Sequence, residues 1–207
     1  MIALVELAER AGIPKGVLSV VTGSAAEIGA ELTESPIVRK ISFTGSTEIG
    51  AKLMEQSAPT IKKLSLELGG NAPFIVFDDA DLGAAVDGAM AAKFRNAGQV
   101  CVAPTRFHVQ EGIYERFAKG FAERAAALRI GDGLSSETQM GPMANPRRPE
   151  AIGAMIEDAV RNGARKLTGG EAKGGDGFFF APTVLADVSL DAKAMNEEPF
   201  GPIALIR

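Results

Sequence analysis

The chain has 207 residues, 46% of them hydrophobic and 23% charged, the make-up of a folded globular protein rather than a disordered one. Its 22 basic and 26 acidic residues leave a formal charge of −4, which provides no basic face for nucleic acid or an anionic membrane, so neither is expected as a partner. One cysteine excludes an internal disulfide, one histidine argues against a histidine-built metal site, and neither a secretory signal nor an apolar span of ~20 residues is evident, so a cytoplasmic protein with no metal is expected.

Apolar positions Leu4, Leu7, Ala8 and Ala11 recur with helical spacing, and Gly12 and Pro14 end that helix. Residues 17–21 are a short β-prone run. Ser24 and Glu27 have the spacing of a capping box for a helix to about residue 32. Residues 39–43 predict another strand, Thr44-Gly45-Ser46 a turn, and the residues to about 56 a helix. The stretches LSVVTGSAAEIGAEL and RKISFTGSTEIGAKL resemble each other and are read as successive βα units. Such units predict an α/β fold with a parallel sheet, whose ligands bind at the carboxyl ends of the strands; both TGS turns then lie on the ligand side.

Residues 61–68 read as a strand ending at Gly69-Gly70, the candidate domain boundary. A second strand is expected at 74–77. Asp78, Asp79 and Asp81 open an Ala-rich helix to about residue 96, with acids at its positive end. The cysteine loop, a strand near 106–109, a helix over 112–128 and a Gly/Ser/Pro-rich connection over 131–149 follow. A helix over 149–162, a strand near Lys166, a Gly-rich hairpin-like loop and two late strands, the last over 202–207, complete the chain.

Four segments carry candidate chemistry. Gly45 to Gly50 has the glycine spacing of a P-loop but lacks the Lys-Ser/Thr that should follow; a glycine turn before a helix N-terminus still offers free N–H groups to a phosphate, or is simply a capped turn. Glu67 is the only acid in LSLELGG, a strand end where partial burial would suit a general base; an edge-facing, half-exposed residue is the alternative. Cys101 lies in a glycine loop between Asn96 and Arg106, where a nucleophile and a small buried hydrophobe are both possible, and His108 lies on the next strand rather than beside it. Glu198 lies in the turn-rich Glu197-Glu198-Pro199-Phe200-Gly201-Pro202 and, fixed by Pro and Gly, could bind a ribose diol or serve an ordinary loop.

In order, FTGSTEIG (43–50), LELGG (66–70), GQVC (98–101) and EEPFGP (197–202) resemble the aldehyde dehydrogenase superfamily of NAD(P)-dependent enzymes, with 34 residues from Glu67 to Cys101 and 97 from Cys101 to Glu198. The resemblance covers essentially the whole chain. It implies a Rossmann-like parallel-sheet cofactor domain followed by an α/β catalytic domain. It implies NAD or NADP as cofactor, a small aldehyde as substrate, Cys101 as nucleophile with its N–H in the oxyanion hole, and Glu67 as activator of the hydrolytic water. Thr44, Gly45, Ser46, Ile49, Leu68, Glu198 and Phe200 are the implied cofactor-binding residues, with Gly45 and Ser46 at the pyrophosphate, Glu198 at the nicotinamide ribose and Phe200 near the ring. Arg95, six residues before Cys101, resembles the arginine with which the succinate-semialdehyde branch holds a distal carboxylate; its other reading is a helix-end arginine serving the dipole. Ala103 stands where some relatives carry a second cysteine, so that switch disulfide is not available.

Full members of this family are longer. The expectation is a chain that begins inside the cofactor domain and stops inside the catalytic domain: 1–69, the C-terminal part of the NAD(P)-binding domain, and 70–207, the N-terminal part of the catalytic domain. The implied parent is a homo-oligomer. Without the upstream asparagine of the oxyanion hole and the residues that bind the adenosine ribose, two alternatives stand beside a dehydrogenase: a catalytically incomplete fragment, and a cofactor-independent Cys/Glu esterase.

Overall fold

Serine-capped turns organise the first of two units into which the chain divides, residues up to Leu68 and Gly69–Arg207. The structure is a computed structural model and describes residues 2–207. The first unit contains α1 (Ile2–Arg10), α2 (Ala25–Glu34), β1 (Lys40–Gly45), α3 (Thr47–Ser57) and β2 (Lys63–Leu68). Ser24 Oγ accepts the Glu27 amide, so α2 starts as the spacing predicts, and Ser46 Oγ accepts the Ile49 amide in the same way at the start of α3, each at 3.4 Å. β1 and β2 pair in parallel from Lys40 opposite Lys63 to Gly45 opposite Leu68. Ile61, at φ 52°, turns the chain into β2, and the Lys62 ammonium donates to the carbonyls of Val38, at 3.0 Å, and Ser35.

Residues 17–21 correct the sequence reading. They form no strand, because β1 pairs with β2 alone and no other strand of this unit lies beside the run to complete a ladder. Their apolar side chains stay exposed, Val17 at 72% and Val21 at 74%. The first TGS turn therefore caps a helix without terminating a strand. Among the described residues of this unit, Thr33, Gly50 and Ser57 are buried and no large hydrophobic side chain is.

The second unit contains β3 (Ala72–Val76), α4 (Leu82–Phe94), β4 (Pro104–Val109), α5 (Tyr114–Ala126), α6 (Arg147–Arg161), β5 (Arg165–Thr168), β6 (Thr183–Ala186), the short α7 (Lys193–Asn196) and β7 (Ile203–Ile206). Its five strands run in the order β3-β4-β7-β6-β5, parallel except for the antiparallel β5–β6 pair. The final strand is therefore central, and all four of its residues are buried. This is the fully covered parallel strand that a continuous apolar run signals. The Gly-rich loop folds back on itself through the Ala172–Phe180 bridge, as its hairpin-like composition suggests.

Helix α4 begins where Asp81 Oδ1 accepts the Ala84 amide at 2.8 Å. Its far end is pinned by packing. Phe94 lies against Phe121 with ring centroids 5.7 Å apart, and Phe121 packs on Phe107 at 5.0 Å and Phe117 at 5.5 Å. These rings are fully or almost fully buried and form the centre of the core. The cysteine loop thus leaves the helix from a fixed point.

Candidate active site

In the first unit the candidate residues gather at the carboxyl ends of β1 and β2. Thr44 pairs with Glu67 and Gly45 with Leu68. The strand includes Thr44 and Gly45, which the sequence reading placed in a turn. A side chain at Gly45 would overlap the Phe43 ring, and one at Gly50 would come within 2.6 Å of Leu68 Cδ2. Gly50 therefore lets α3 lie close to β2, and Ser46 fixes the helix start. The free N–H groups and positive dipole end of α3 face the segment that carries Thr44, Gly45 and Ser46. Ile49 lies in the first turn of α3 and is exposed.

Glu67 is exposed, not partly buried as expected from its apolar surroundings. The reason is topological: β2 is an outer strand of a two-stranded sheet, and no strand of its own unit covers its other side. The edge-facing alternative is the one that the structure shows for this residue.

In the second unit two loops meet. The cysteine loop leaves α4 through Arg95–Gly98, with Asn96 and Ala97 at φ 52° and 53° and Gly98 at φ 69°. Two consecutive non-glycine residues in the left-handed region carry strain, which must be offset by their surroundings. The offset is visible. Asn96 Nδ2 donates to the Gln99 carbonyl at 3.0 Å, and Gln99 Nε2 returns a bond to the Asn96 carbonyl at 3.1 Å. Gln99 Oε1 also accepts the Ala144 amide at 2.8 Å. The Ala103 amide then donates to the Val100 carbonyl at 3.0 Å, closing a turn with Cys101 exposed on it.

The second loop joins α7 to β7 and carries Glu198 and Phe200. A side chain at Gly98 would overlap the Gly201 carbonyl, so the two loops touch backbone to backbone. Phe200 adopts φ 44°, again left-handed, and is half-buried. A side chain at Gly69 would overlap the Glu198 carboxylate, so this acid lies over a bare backbone. Asn71, in the same segment between β2 and β3, ties the loop down, donating from Nδ2 to the carbonyls of Ala194 at 3.0 Å and Glu197 at 3.3 Å. The sequence reading missed Asn71, although it directly follows the glycine pair.

Arg95 is exposed at the C-cap of α4 and makes no hydrogen bond or ion pair among the described residues. It lines an open cavity of about 640 Å³ with Met90, Ala91, Phe94, Leu128 and the Asp87–Arg124 ion pair; Cys101 is not among the lining residues. The sequence reading also missed Lys93. It is only 1% exposed, its ammonium donates to Thr105 Oγ1 at 3.2 Å, and burial pushes its pKa from 10.5 down to about 7 against the opposing pull of Glu198. A lysine in the last turn of a helix ordinarily reads as a dipole partner at the surface, which hid it.

A distinct cluster braces the other end of the sheet. The Tyr114 hydroxyl donates to Asp187 Oδ1 and accepts the Asp187 amide, both at 2.8 Å. Arg165 donates to Asp187 and to Glu115, the latter at 2.8 Å. Burial lifts the Tyr114 hydroxyl to about 12, and the Arg165 hydrogen bond holds the Asp187 carboxyl below its usual range. Among the described residues no three His, Cys, Asp or Glu side chains are grouped to hold a metal ion, and no helix is long and apolar enough to cross a membrane.

The family model "Aldehyde dehydrogenase family" matches residues 1–207. The NADP(+) succinate-semialdehyde dehydrogenase of Escherichia coli is 57% identical over 203 residues, 98% of this chain and 42% of that protein. A 3-sulfolactaldehyde dehydrogenase and a glutarate-semialdehyde dehydrogenase of Pseudomonas putida are 56% and 57% identical, each over 98% of this chain and 42% of their own length. The chain thus spans well under half of the curated relatives that it matches. Among solved structures, an NADP-dependent enzyme of E. coli superposes with a TM-score of 0.95 at 56% identity, over 99% of this chain and 43% of that one. Betaine aldehyde dehydrogenase of Staphylococcus aureus in complex with NAD+ gives 0.95 at 34% identity, over 100% of this chain and 42% of that one. The chain belongs to the aldehyde dehydrogenase family and has its α/β fold.

Proposed function

We propose that the protein carrying this chain oxidises a short, carboxylated semialdehyde to the acid with NAD or NADP. The observation that supports it best is the meeting of the cysteine loop with the Glu198 loop through Gly98 and Gly201, which holds a nucleophile and a ribose-binding acid on one rigid support. On this reading the first unit is the end of the cofactor domain, and the second is the start of the catalytic domain.

The residues fit the cofactor. The bare backbone at Gly69 leaves room for the Glu198 carboxylate, and the capped N-terminus of α3 suits a pyrophosphate. The residues that would hold it are Thr44, Gly45, Ser46, Ile49, Leu68, Glu198 and Phe200. When bound, the nicotinamide supplies the hydride acceptor.

The chain's own part is covalent catalysis. The Cys101 thiolate adds to the aldehyde carbon and forms a C–S bond, while the Cys101 N–H donates to the oxygen on which negative charge develops. Once the aldehyde hydrogen has left as hydride, the carbon is held on sulfur as a thioester. Glu67 takes a proton from the water that attacks it, the C–S bond breaks, and the acid departs. Exposure of Cys101 suits a residue that must meet its substrate. Succinate and glutarate semialdehydes and sulfolactaldehyde, which the relatives' names give, share an anionic far end; the unpaired guanidinium of Arg95 is built to receive one.

Trapping tests this directly. Protein mixed with succinic semialdehyde and cofactor, then quenched in acid, should gain the mass of a succinyl group on the peptide that contains Cys101. Cys101→Ser should abolish the adduct. A turning-over enzyme with no thioester at Cys101 would overturn the reading.

A further inference from the structure

Gln99 joins the cysteine turn to a third loop, and the segment that it grips also lies under the Glu198 loop. Its Nε2 donates to the Asn96 carbonyl at 3.1 Å and to the Pro142 carbonyl at 3.4 Å, and its Oε1 accepts the Ala144 amide at 2.8 Å. Both N–H donors and the carbonyl of the side chain are therefore in use. Between the two gripped residues, Met143 is buried, and its amide donates to the Phe178 carbonyl at 2.8 Å in the Gly-rich hairpin. Met143 Cε lies 3.3 Å from where a side chain at Gly201 would begin. The turn needs such a hold. Asn96 and Ala97 are both left-handed, and Ala97 is buried. The backbone amide of Gln99 also donates to the Asn96 carbonyl at 3.1 Å, so main chain and side chain close the same turn.

We propose that Gln99 is a positioning residue: by latching the strained Asn96–Gly98 turn to Pro142 and Ala144, it fixes the backbone from which Cys101 meets the aldehyde. This rests on Cys101 being the nucleophile. The latch acts on the thiol and leaves the cofactor-binding residues alone. A reacting atom misplaced by about 1 Å loses roughly a hundredfold in rate, so the effect belongs in kcat. A methionine has the length of Gln99 but none of its bonds. A glutamate keeps the acceptor for Ala144, but when ionised it has no donor for the Asn96 and Pro142 carbonyls; once protonated, it regains one.

Two measurements test it, one of them without catalysis. In hydrogen exchange, Gln99→Met should speed exchange of the Ala144 and Ala103 amides by about tenfold or more, since the first is bonded to Gln99 and the second closes the Cys101 turn. Gln99→Glu should speed Ala103 while sparing Ala144. An Ala103 amide that exchanges as in the unaltered protein overturns the proposal. In the dehydrogenase assay, Gln99→Met should lower kcat about ten- to a hundredfold, with KM for the cofactor within about twofold. The kcat of Gln99→Glu, taken relative to the unaltered protein, should rise as pH falls from about 8 to 5.5, because the protonated acid donates again. Equal losses in kcat and every KM, no loss, or a ratio that is flat with pH would mean a merely structural glutamine. If the unaltered protein transfers no hydride, it is the function that fails, and hydrogen exchange decides the Gln99 proposal alone. If Gln99→Met does not fold, the Gln99→Glu arms decide it.

Discussion

The two units reach order by different means. The unit up to Leu68 has capped helices, a parallel strand pair and close glycine packing, yet among its described residues no large hydrophobic side chain is buried. Gly69–Arg207 buries aromatic and aliphatic side chains from both faces of a five-stranded sheet. Local devices are each worth about 1 kcal/mol, whereas a buried aromatic is worth several, so within this chain stability resides in the second unit. The candidate roles divide along the same line. The turn at Thr44 to Ser46 rests on local hydrogen bonds, and the cysteine and Glu198 loops rest on a packed core.

Substitution can break or sharpen that contrast. The largest effect is expected at the centre of the second core: Phe107→Ala should cost about 3–5 kcal/mol in urea unfolding, because Phe107 is fully buried between Phe74, Phe117 and Phe121. Next comes Lys93→Met. The folded pKa of about 7 lies below the unfolded 10.5, so between those values the unfolded chain binds more protons and native stability rises with pH. The penalty is fully present below pH 7 and corresponds to roughly 5 kcal/mol at most. The variant should therefore be more stable than the native chain at pH 6, by an amount that shrinks towards pH 10, as read from melting curves. Arg95→Ala should raise KM for a carboxylated semialdehyde about tenfold or more while leaving propanal within about twofold; equal changes for both would remove the carboxylate role. Smallest are the changes in the first unit. Ser46→Ala should cost about 1 kcal/mol through the lost α3 cap, and Leu4→Ala less than about 0.5 kcal/mol, because Leu4 is 57% exposed.

Much of this was legible in the residues. Ser24 and Glu27 announce a helix start by chemistry that acts over three residues, and the structure caps α2 there; Ser46 and Asp81 cap α3 and α4 by the same chemistry. Glycines 45, 69, 98 and 201 stand where backbones or side chains come too close for a Cβ, which is why the four segments that resemble the family are built around glycine. What escaped depends on partners distant in sequence. The run at 17–21 has strand composition but no strand beside it, and Glu67 has an apolar setting but no strand of its unit on its outer side. The burial of Lys93 and the reach of Asn71 to residue 197 follow from how α4, β4 and the late loop pack. No local pattern encodes them.

The central claim is hydride transfer that depends on Cys101. The measurement is the formation of NADH and NADPH, followed by absorbance, with succinic semialdehyde and with propanal, in the protein carrying this chain and in its Cys101→Ser variant. The account predicts faster turnover of succinic semialdehyde and a loss of at least about a thousandfold in the variant, with the melting temperature unchanged. Turnover that persists without the thiol would contradict it.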